Sequence, residues 1–208
     1  DTCTILRQTI ETSDVTGGGA ELFLYQSGYL TIKGYQMGVY ILGFPNSEVR
    51  QALYETVLPA LTLRGNSDIQ SIQSDLLLAI QLGNLPEAMK CLKALIADVP
   101  YSNKKLASMD MEERYRLILS TIFNAIGCRV EVEKMIATGR IDMVVETTQY
   151  IYVLELKLSD NGGVDAAAEQ IRAKQYAEPF KADKRKVIAL AIELDDRGKG
   201  LVDWKEVF

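Results

Sequence analysis

The sequence predicts an α/β fold with a mixed central β-sheet flanked by helices. From about residue 104, the hydrophobic patterns give the order helix, strand, strand, strand, helix, strand. The final strand, from Lys186 to Leu194, is an almost uninterrupted apolar run, which is typical of a strand covered on both faces. Because strands and long helices are combined in this way, a layered architecture around a shared core is favoured for this part of the chain.

Composition and charge exclude several classes of protein. The 208 residues are 48% hydrophobic, as in a globular protein, and the formal net charge of −5 argues against binding nucleic acid by bulk charge. The chain contains no His, which excludes His-based catalytic triads and zinc sites and leaves hydrolytic chemistry to carboxylates, Lys and a metal. Three widely spaced Cys and the lack of a membrane-length apolar run predict a cytoplasmic protein with no membrane partner.

The first 64 residues predict a small α/β region. Residues 1–20 are weakly patterned and end in three Gly, which we interpret as a flexible connector. A short helix over 21–30 is expected next, and then a hairpin of two strands, 29–33 and 38–44. The segment PNSE at 45–48 predicts a helix start, continued at helical spacing by four apolar residues: Val49, Leu53, Val57 and Leu61.

Residues 65–103 predict a hairpin of two helices. Asp68 lies at the start of the first helix, and Gly83 ends it. Pro86 occupies the first turn of the second helix, where its missing N–H is tolerated, and that helix is expected to end near Pro100. The buried face of the pair is predicted to consist of Ile69, Ile72, Leu76, Ile80, Ala88, Cys91, Leu92, Leu95 and Ile96.

Residues 104–208 predict the principal domain. It begins with a regular amphipathic helix that Asp110 caps and Gly127 ends. Three strands, a loop at the Gly pair 162–163, a helix and a final strand follow. The strands are expected at 129–135, 139–145, 151–157 and 186–194, and the second helix from its Asp165 cap to Phe180.

The second and third strands of this domain form a hairpin that carries the candidate site. If Glu146 pairs with Ile151, the antiparallel register places Asp142 opposite Glu155, about 5 Å apart at Cβ. Side chains alternate along a strand, so Lys157 shares the face of Glu155, and both are expected at a strand end outside the core. Two carboxylates and an ammonium group so placed point to a hard divalent cation. The alternative interpretation is a surface ion-pair cluster at the rim of the sheet.

Two helices carry additional candidate residues for this site, Gln170 and Glu112. Gln170 is predicted on the packing face of its helix with Ala173 and Tyr176, where its amide needs partners that the acidic sheet face could supply. The alternative is a Gln that caps the helix or has its hydrogen bonds satisfied within the core. Glu112 flanks the apolar stripe of the helix that follows Asp110 and could reach the metal as an extra carboxylate, whereas a solvated surface Glu is the alternative.

Three motifs of this domain together resemble the PD-(D/E)XK nuclease superfamily. They are GRID at 139–142, ELK at 155–157 and QIRAKQY at 170–176, of which the last is similar to the glutamine–tyrosine motif of its DNA-repair exonuclease branch. With YQSGYLTIKGY at 25–35 and LGFPNSEVR at 42–50, they resemble the PD-(D/E)XK-like C-terminal region of bacterial AAA-ATPase-like proteins, frequent in Bacteroidetes. The resemblance implies a restriction-endonuclease-like core at 104–208. No P-loop sequence occurs, so the upstream ATPase-like domain is expected to be absent from this chain.

The resemblance also implies roles for individual residues. Asp142, Glu155 and the carbonyl of Leu156 would hold Mg²⁺ or Mn²⁺. Lys157 would orient the attacking water or stabilise charge at the phosphate. Gln170 would position Lys157 or the phosphate. Nucleic-acid contacts, and support for the helix that carries them, would come from a Tyr and four basic residues: Arg140, Arg172, Lys174, Tyr176 and Lys181.

These roles predict a metal-dependent nuclease that hydrolyses DNA phosphodiester bonds. The alternative is a catalytically inactive nuclease fold that serves as a module for binding nucleic acid or protein. One departure from the resemblance bears on this choice. Many relatives carry a Tyr-His pair in the helix before the nuclease strands, whereas here Arg116 follows Tyr115.

Overall fold

The computed structural model describes residues 2–12, 19–61, 66–97, 99 and 109–208. The chain divides into two compact units, Asp1–Leu53 and Tyr54–Phe208. The three-part division at residues 64 and 103 that the sequence suggests stays a prediction.

The first unit is a small antiparallel sheet with two helices: β1 (Thr2–Leu6), α1 (Arg7–Thr12), α2 (Gly19–Gln26), β2 (Thr31–Gln36) and β3 (Val39–Gly43). The strand order is β1-β3-β2, and the predicted hairpin of β2 and β3 is confirmed. The interpretation of residues 1–20 as a flexible connector is wrong for residues 2–12, because β1 and α1 lie there and β1 pairs with β3 along its whole length. The predicted glycine connector lies outside the described residues except for Gly19, which begins α2.

Three helices follow: α3 (Ser47–Leu61), within which the boundary of the two units falls, α4 (Asn66–Leu82) and α5 (Leu85–Ala97). The amide of Val49 donates to Oδ1 of Asn46 at 2.9 Å, which confirms the predicted start of α3. The expected hairpin of α4 and α5 is confirmed, and the apolar faces of both helices join the largest core of the second unit. None of the described helices is both long and apolar enough to cross a membrane.

The second unit continues with a five-stranded sheet and two helices: α6 (Met111–Ala125), β4 (Arg129–Ile136), β5 (Gly139–Glu146), β6 (Tyr150–Leu158), α7 (Gly163–Ala173), β7 (Lys186–Leu194) and β8 (Leu201–Glu206). The strand order is β4-β5-β6-β7-β8, and only β6 and β7 are parallel. This mixed sheet flanked by helices is consistent with a restriction-endonuclease-like fold and confirms the predicted fold class. The sequence does not predict β8, an edge strand most of whose residues are exposed.

The sheet separates two hydrophobic layers. On one face β6 contributes Tyr152, Leu154 and Leu156 to the core that contains α5 and α6. On the other face it contributes Ile151 and Val153 to a smaller core under α7. The alternation predicted along β6 is therefore confirmed, and its charged residues lie on the α7 face.

The C-terminal end of α7 differs from the prediction. The helix ends at Ala173 and not at Phe180, because Gln175 has a left-handed backbone with φ of 52°. A 3-10 turn at Glu178–Phe180 follows separately. Ala173 is exposed, whereas Tyr176 is completely buried after the break.

The N-terminal end of α7 differs as well. The amide of Val164 donates to Oε2 of Glu193 at 3.0 Å, so a carboxylate from β7 does the capping that the sequence assigns to Asp165. The helix therefore begins at Gly163, and the exposed side chain of Asp165 has no capping bond among the described contacts.

Candidate active site

Asp142 and Glu155 lie where the β5–β6 ladder ends. The register is the predicted one, with Glu146 opposite Ile151, and it stops one position before the two carboxylates. Beyond that point a side chain of β5 accepts the hydrogen bond from the backbone of β6: the amide of Leu156 donates to Oδ2 of Asp142 at 2.9 Å. The carboxylate of Asp142 is thereby fixed against the backbone of β6.

Both carboxylates are buried. Glu155 is completely enclosed, and Asp142 is 4% exposed. The interpretation as a surface ion-pair cluster is therefore wrong, and so is the expectation that Glu155 lies at a strand end outside the core. Because β6 lies between β5 and β7 and is covered on both faces, a charge at this position loses its solvation.

Lys157 is the positive partner of Glu155. Its Nζ lies 3.1 Å from Oε1 of Glu155, and its side chain is 21% exposed. The two side chains meet because they are two residues apart on one strand face. The described residues make an ion pair here but no well-aligned hydrogen bond to either oxygen of Glu155. The carboxylate is therefore only partly compensated.

The environment raises the pKa of Glu155 from its ordinary 4.5 to about 7. Burial is the largest cause, and the negative charge of Asp142 acts in the same direction. The ammonium group of Lys157 opposes both. A carboxyl group in this condition has a strong affinity for either a proton or a metal cation.

These residues fit a hard divalent cation. A buried carboxylate without hydrogen bonds gains from an ion that it can ligate, and Mg²⁺ and Mn²⁺ prefer oxygen ligands. The structure brings together Asp142, Glu155 and the backbone of Leu156. Within the described parts of the chain, no cluster of three or more Cys, Asp or Glu side chains is arranged to hold a metal ion. Water and substrate oxygens would therefore complete the coordination shell.

Glu112 lies in electrostatic range of this site but is paired with Arg116. Its pKa is raised, first by burial and then by the charge of Asp142, while Lys157 opposes the shift. Its Oε1 is 3.5 Å from Nη2 of Arg116. Glu112 is half-buried and so differs from a fully solvated surface Glu, but its service as a metal ligand stays a prediction.

Gln170 and Tyr176 are brought together by the break that follows α7. Nε2 of Gln170 donates to Oη of Tyr176 at 3.0 Å, and that hydroxyl donates to the carbonyl of Arg140 at 2.6 Å. Tyr176 is completely buried, so it supports β5 from inside and has no surface for the predicted contact with nucleic acid. The described hydrogen bond of Gln170 is made to Tyr176 and not to Lys157.

The basic residues predicted to contact nucleic acid lie on the surface. Arg172 and Lys174, at the end of α7, are exposed, and half of the Arg140 side chain is exposed. Lys181 pairs with Glu178 at 2.6 Å. Their contacts with nucleic acid stay predictions.

Two acidic residues that the sequence did not single out are built into this region. Glu193 is paired with Lys157 across the β6–β7 ladder, and it accepts hydrogen bonds from Ser159 and from the first turn of α7. Glu133 on β4 has a left-handed backbone with φ of 54° and contacts Arg140. The only sequence signal for Glu193 is one acid within an apolar strand. No local signal marks Glu133.

Comparison with known proteins agrees with this geometry. A sequence model of the PD-(D/E)XK nuclease superfamily matches residues 110–204, which supports that superfamily for the region of Asp142, Glu155 and Lys157. The chain is also 29% identical, over 212 aligned positions, to a protein of Azotobacter chroococcum mcd 1 described as an uncharacterized protein in the vnfD 5′ region. That alignment covers 96% of this chain but only 39% of the relative's length. No solved structure matches significantly.

Proposed function

We propose that residues 109–208 form a nuclease domain that hydrolyses DNA phosphodiester bonds with Mg²⁺ or Mn²⁺. The observation that supports this most is the buried pair of Asp142 and Glu155, with the ammonium group of Lys157 3.1 Å from Glu155. Burying two carboxylates side by side is unfavourable unless a proton or a cation offsets their charge, which is typical of a functional site. The superfamily match over residues 110–204 supports the same class of reaction.

Each of these residues would have a separate task in hydrolysis. A bound divalent cation would supply activation of water and neutralisation of phosphate charge. Asp142, held by the amide of Leu156, and Glu155, held between two strands, would bind the cation with little reorganisation. Lys157 would donate a hydrogen bond to the attacking water or to a phosphate oxygen, because part of its side chain reaches solvent while Glu155 anchors it.

Cleavage of labelled DNA tests this proposal. Duplex and single-stranded substrates would be incubated with Mn²⁺, Mg²⁺ or EDTA. Wild type is expected to cleave only with metal, and Glu155→Gln and Lys157→Met are expected to lose cleavage. Glu169→Gln is a matched control, since it also removes one negative charge but lies exposed on α7. Equal cleavage by wild type and Glu155→Gln would overturn the assigned site.

A non-enzymatic nuclease-fold module is the second candidate. The feature that favours it is Arg116, which follows Tyr115 where many members of the family that the sequence resembles carry His. Arg116 pairs with Glu112 and Glu133, so this position of α6 offers no metal ligand and engages Glu112, the predicted additional carboxylate. A wild-type protein that binds Mn²⁺ and DNA but cleaves neither substrate would favour this second function.

The wider context of the domain is also a proposal. The segments 25–35 and 42–50 support an origin in the C-terminal part of an AAA-ATPase-like protein, in which an upstream ATPase-like domain would be the partner. Co-purification of the tagged chain with such a domain, expressed as a separate polypeptide, would test this partnership.

A further inference from the structure

We propose that Arg116 and Arg140 form a subsite for a phosphate of the DNA backbone, and that the carboxylate of Glu133 occupies this subsite when DNA is absent. The inference rests on the proposed function in taking DNA as the ligand. The subsite requires neither metal binding nor cleavage, so the subsite and the proposed nuclease activity can be refuted separately.

Two guanidinium groups converge on one oxygen atom. Nη1 of Arg140 lies 2.9 Å from Oε1 of Glu133, and Nη1 of Arg116 contacts the same oxygen. The three residues come from three different elements, β5, α6 and β4. Convergent guanidinium donors around a single anionic oxygen are the arrangement with which proteins bind phosphate.

The cluster adjoins the proposed active site. The β4–β5 ladder pairs residues on either side of Glu133 and Asp142 and skips these two, which would face each other in the same register. Arg140 precedes Asp142 by two residues on β5, and Arg116 also pairs with Glu112. DNA whose scissile phosphate lies at Asp142 would therefore bring a neighbouring phosphate close to the two arginines.

The carboxylate of Glu133 is replaceable. Its side chain is 44% exposed, so the carboxylate can move into solvent without disturbing the core. The side chain of Arg116, by contrast, is 11% exposed and held on two sides. Its Nε is buried and has no hydrogen-bond partner among the described residues. The guanidinium group is thus already oriented, while the anion can leave.

A groove gives access to the cluster. Arg116 and Glu133 line an open groove of about 480 Å³ between α6 and β4. Asp110 and Glu113 also line it and make its potential more negative. Repulsion by three acids opposes DNA, so movement of Glu133 out of the subsite is expected to limit affinity.

Metal-free DNA binding tests the proposal. Affinity of the 208-residue chain for a labelled duplex would be measured by fluorescence anisotropy in EDTA at several salt concentrations. Glu133→Gln is expected to tighten binding about 3- to 10-fold, and Arg140→Gln or Arg116→Gln to weaken it by a similar factor. Each Arg variant is expected to lower the salt slope by about 1. In the Arg116→Gln/Arg140→Gln background, Glu133→Gln is expected to have no effect.

Glu131→Gln is the matched control for bulk charge. Glu131 lies on the same strand, its side chain is 42% exposed, and it is ion-paired with Lys134. If Glu131→Gln tightens binding as much as Glu133→Gln, net charge explains the effect and the proposal is overturned. It is also overturned if Arg140→Gln, which changes a half-exposed side chain, retains wild-type affinity and salt slope. If the variants change DNA affinity as expected but the wild-type protein cleaves no DNA, the phosphate subsite is supported and only the proposed nuclease activity is contradicted.

Discussion

The amide of Leu156 donates to Oδ2 of Asp142 at 2.9 Å, at the point where the β5–β6 ladder ends. One carboxylate therefore meets two demands: it completes the backbone bonding of β6, and it places negative charge beside Glu155. Because a hydrogen-bond acceptor is sufficient for the first and a charge is required for the second, substitutions of Asp142 can separate folding from metal binding.

Asp142→Asn is expected to fold normally but to lose divalent-cation binding. Asn keeps an oxygen for the Leu156 amide, so its free energy of unfolding should lie within about 1 kcal/mol of wild type. Asp142→Ala leaves that buried amide unpaired and should cost about 1–3 kcal/mol. Urea denaturation and calorimetric titration with Mn²⁺ measure the two effects. Wild-type Mn²⁺ affinity in the Asn variant would remove Asp142 from the proposed ligands.

The raised pKa of Glu155 predicts that the metal-free protein loses stability as pH rises. Glu155 has a pKa of about 7 in the folded state and about 4.5 in the unfolded chain. Protonation of Glu155 therefore favours the folded state, and this stabilisation is complete below pH 4.5 and is lost as pH rises through 7. A shift of this size corresponds to about 3 kcal/mol. Glu155→Gln removes the dependence, so its advantage over wild type should grow between pH 5 and pH 8. Denaturation series in EDTA measure it, and parallel pH profiles of the two proteins would refute the prediction.

Divalent cations are expected to reverse this loss of stability. Binding to the folded state alone stabilises by about 2.7 kcal/mol at a hundredfold excess over the dissociation constant. The effect should be larger at pH 8 than at pH 5.5, because Glu155 must be deprotonated to ligate the ion. Thermal denaturation with and without Mn²⁺ measures it. An equal shift in Glu155→Gln would place the bound ion elsewhere.

Where local patterns determine an element, the sequence predicted it. β6 and β7 are continuous apolar strands and α6 has a single apolar stripe between a cap and a Gly, so their positions follow from short segments. The start of α7 cannot be predicted from a short segment, because the residue that caps it, Glu193, lies on β7, 29 residues from Val164. β8 likewise depends on pairing with β7, and its own residues are mostly exposed.

The candidate site was predictable to the extent that it lies in one hairpin. The tight connection between β5 and β6 fixes the register, and the register brings Asp142 beside Glu155. Their burial could not be read locally, since it depends on α7 and on the neighbouring strands. The contact of Arg116, Glu133 and Arg140 joins three separate elements, and no spacing within the sequence indicates it.

Tyr176→Phe is expected to weaken metal binding as well as the fold. The hydroxyl lies between the amide of Gln170 and the carbonyl of Arg140, and its removal leaves two groups without that partner at a cost of about 1–3 kcal/mol. Because Arg140 lies two residues before Asp142, loss of this support should also loosen the position of the Asp142 carboxylate.

Tyr152→Phe is the matched control for this effect. Tyr152 is also buried, and its hydroxyl donates to the carbonyl of Ile80 at 2.6 Å on the opposite face of the sheet. It should lose a similar free energy of unfolding and keep wild-type Mn²⁺ affinity. Urea denaturation and calorimetry of both variants make the comparison. If both variants bind Mn²⁺ as wild type does, Tyr176 stabilises the fold without positioning the site.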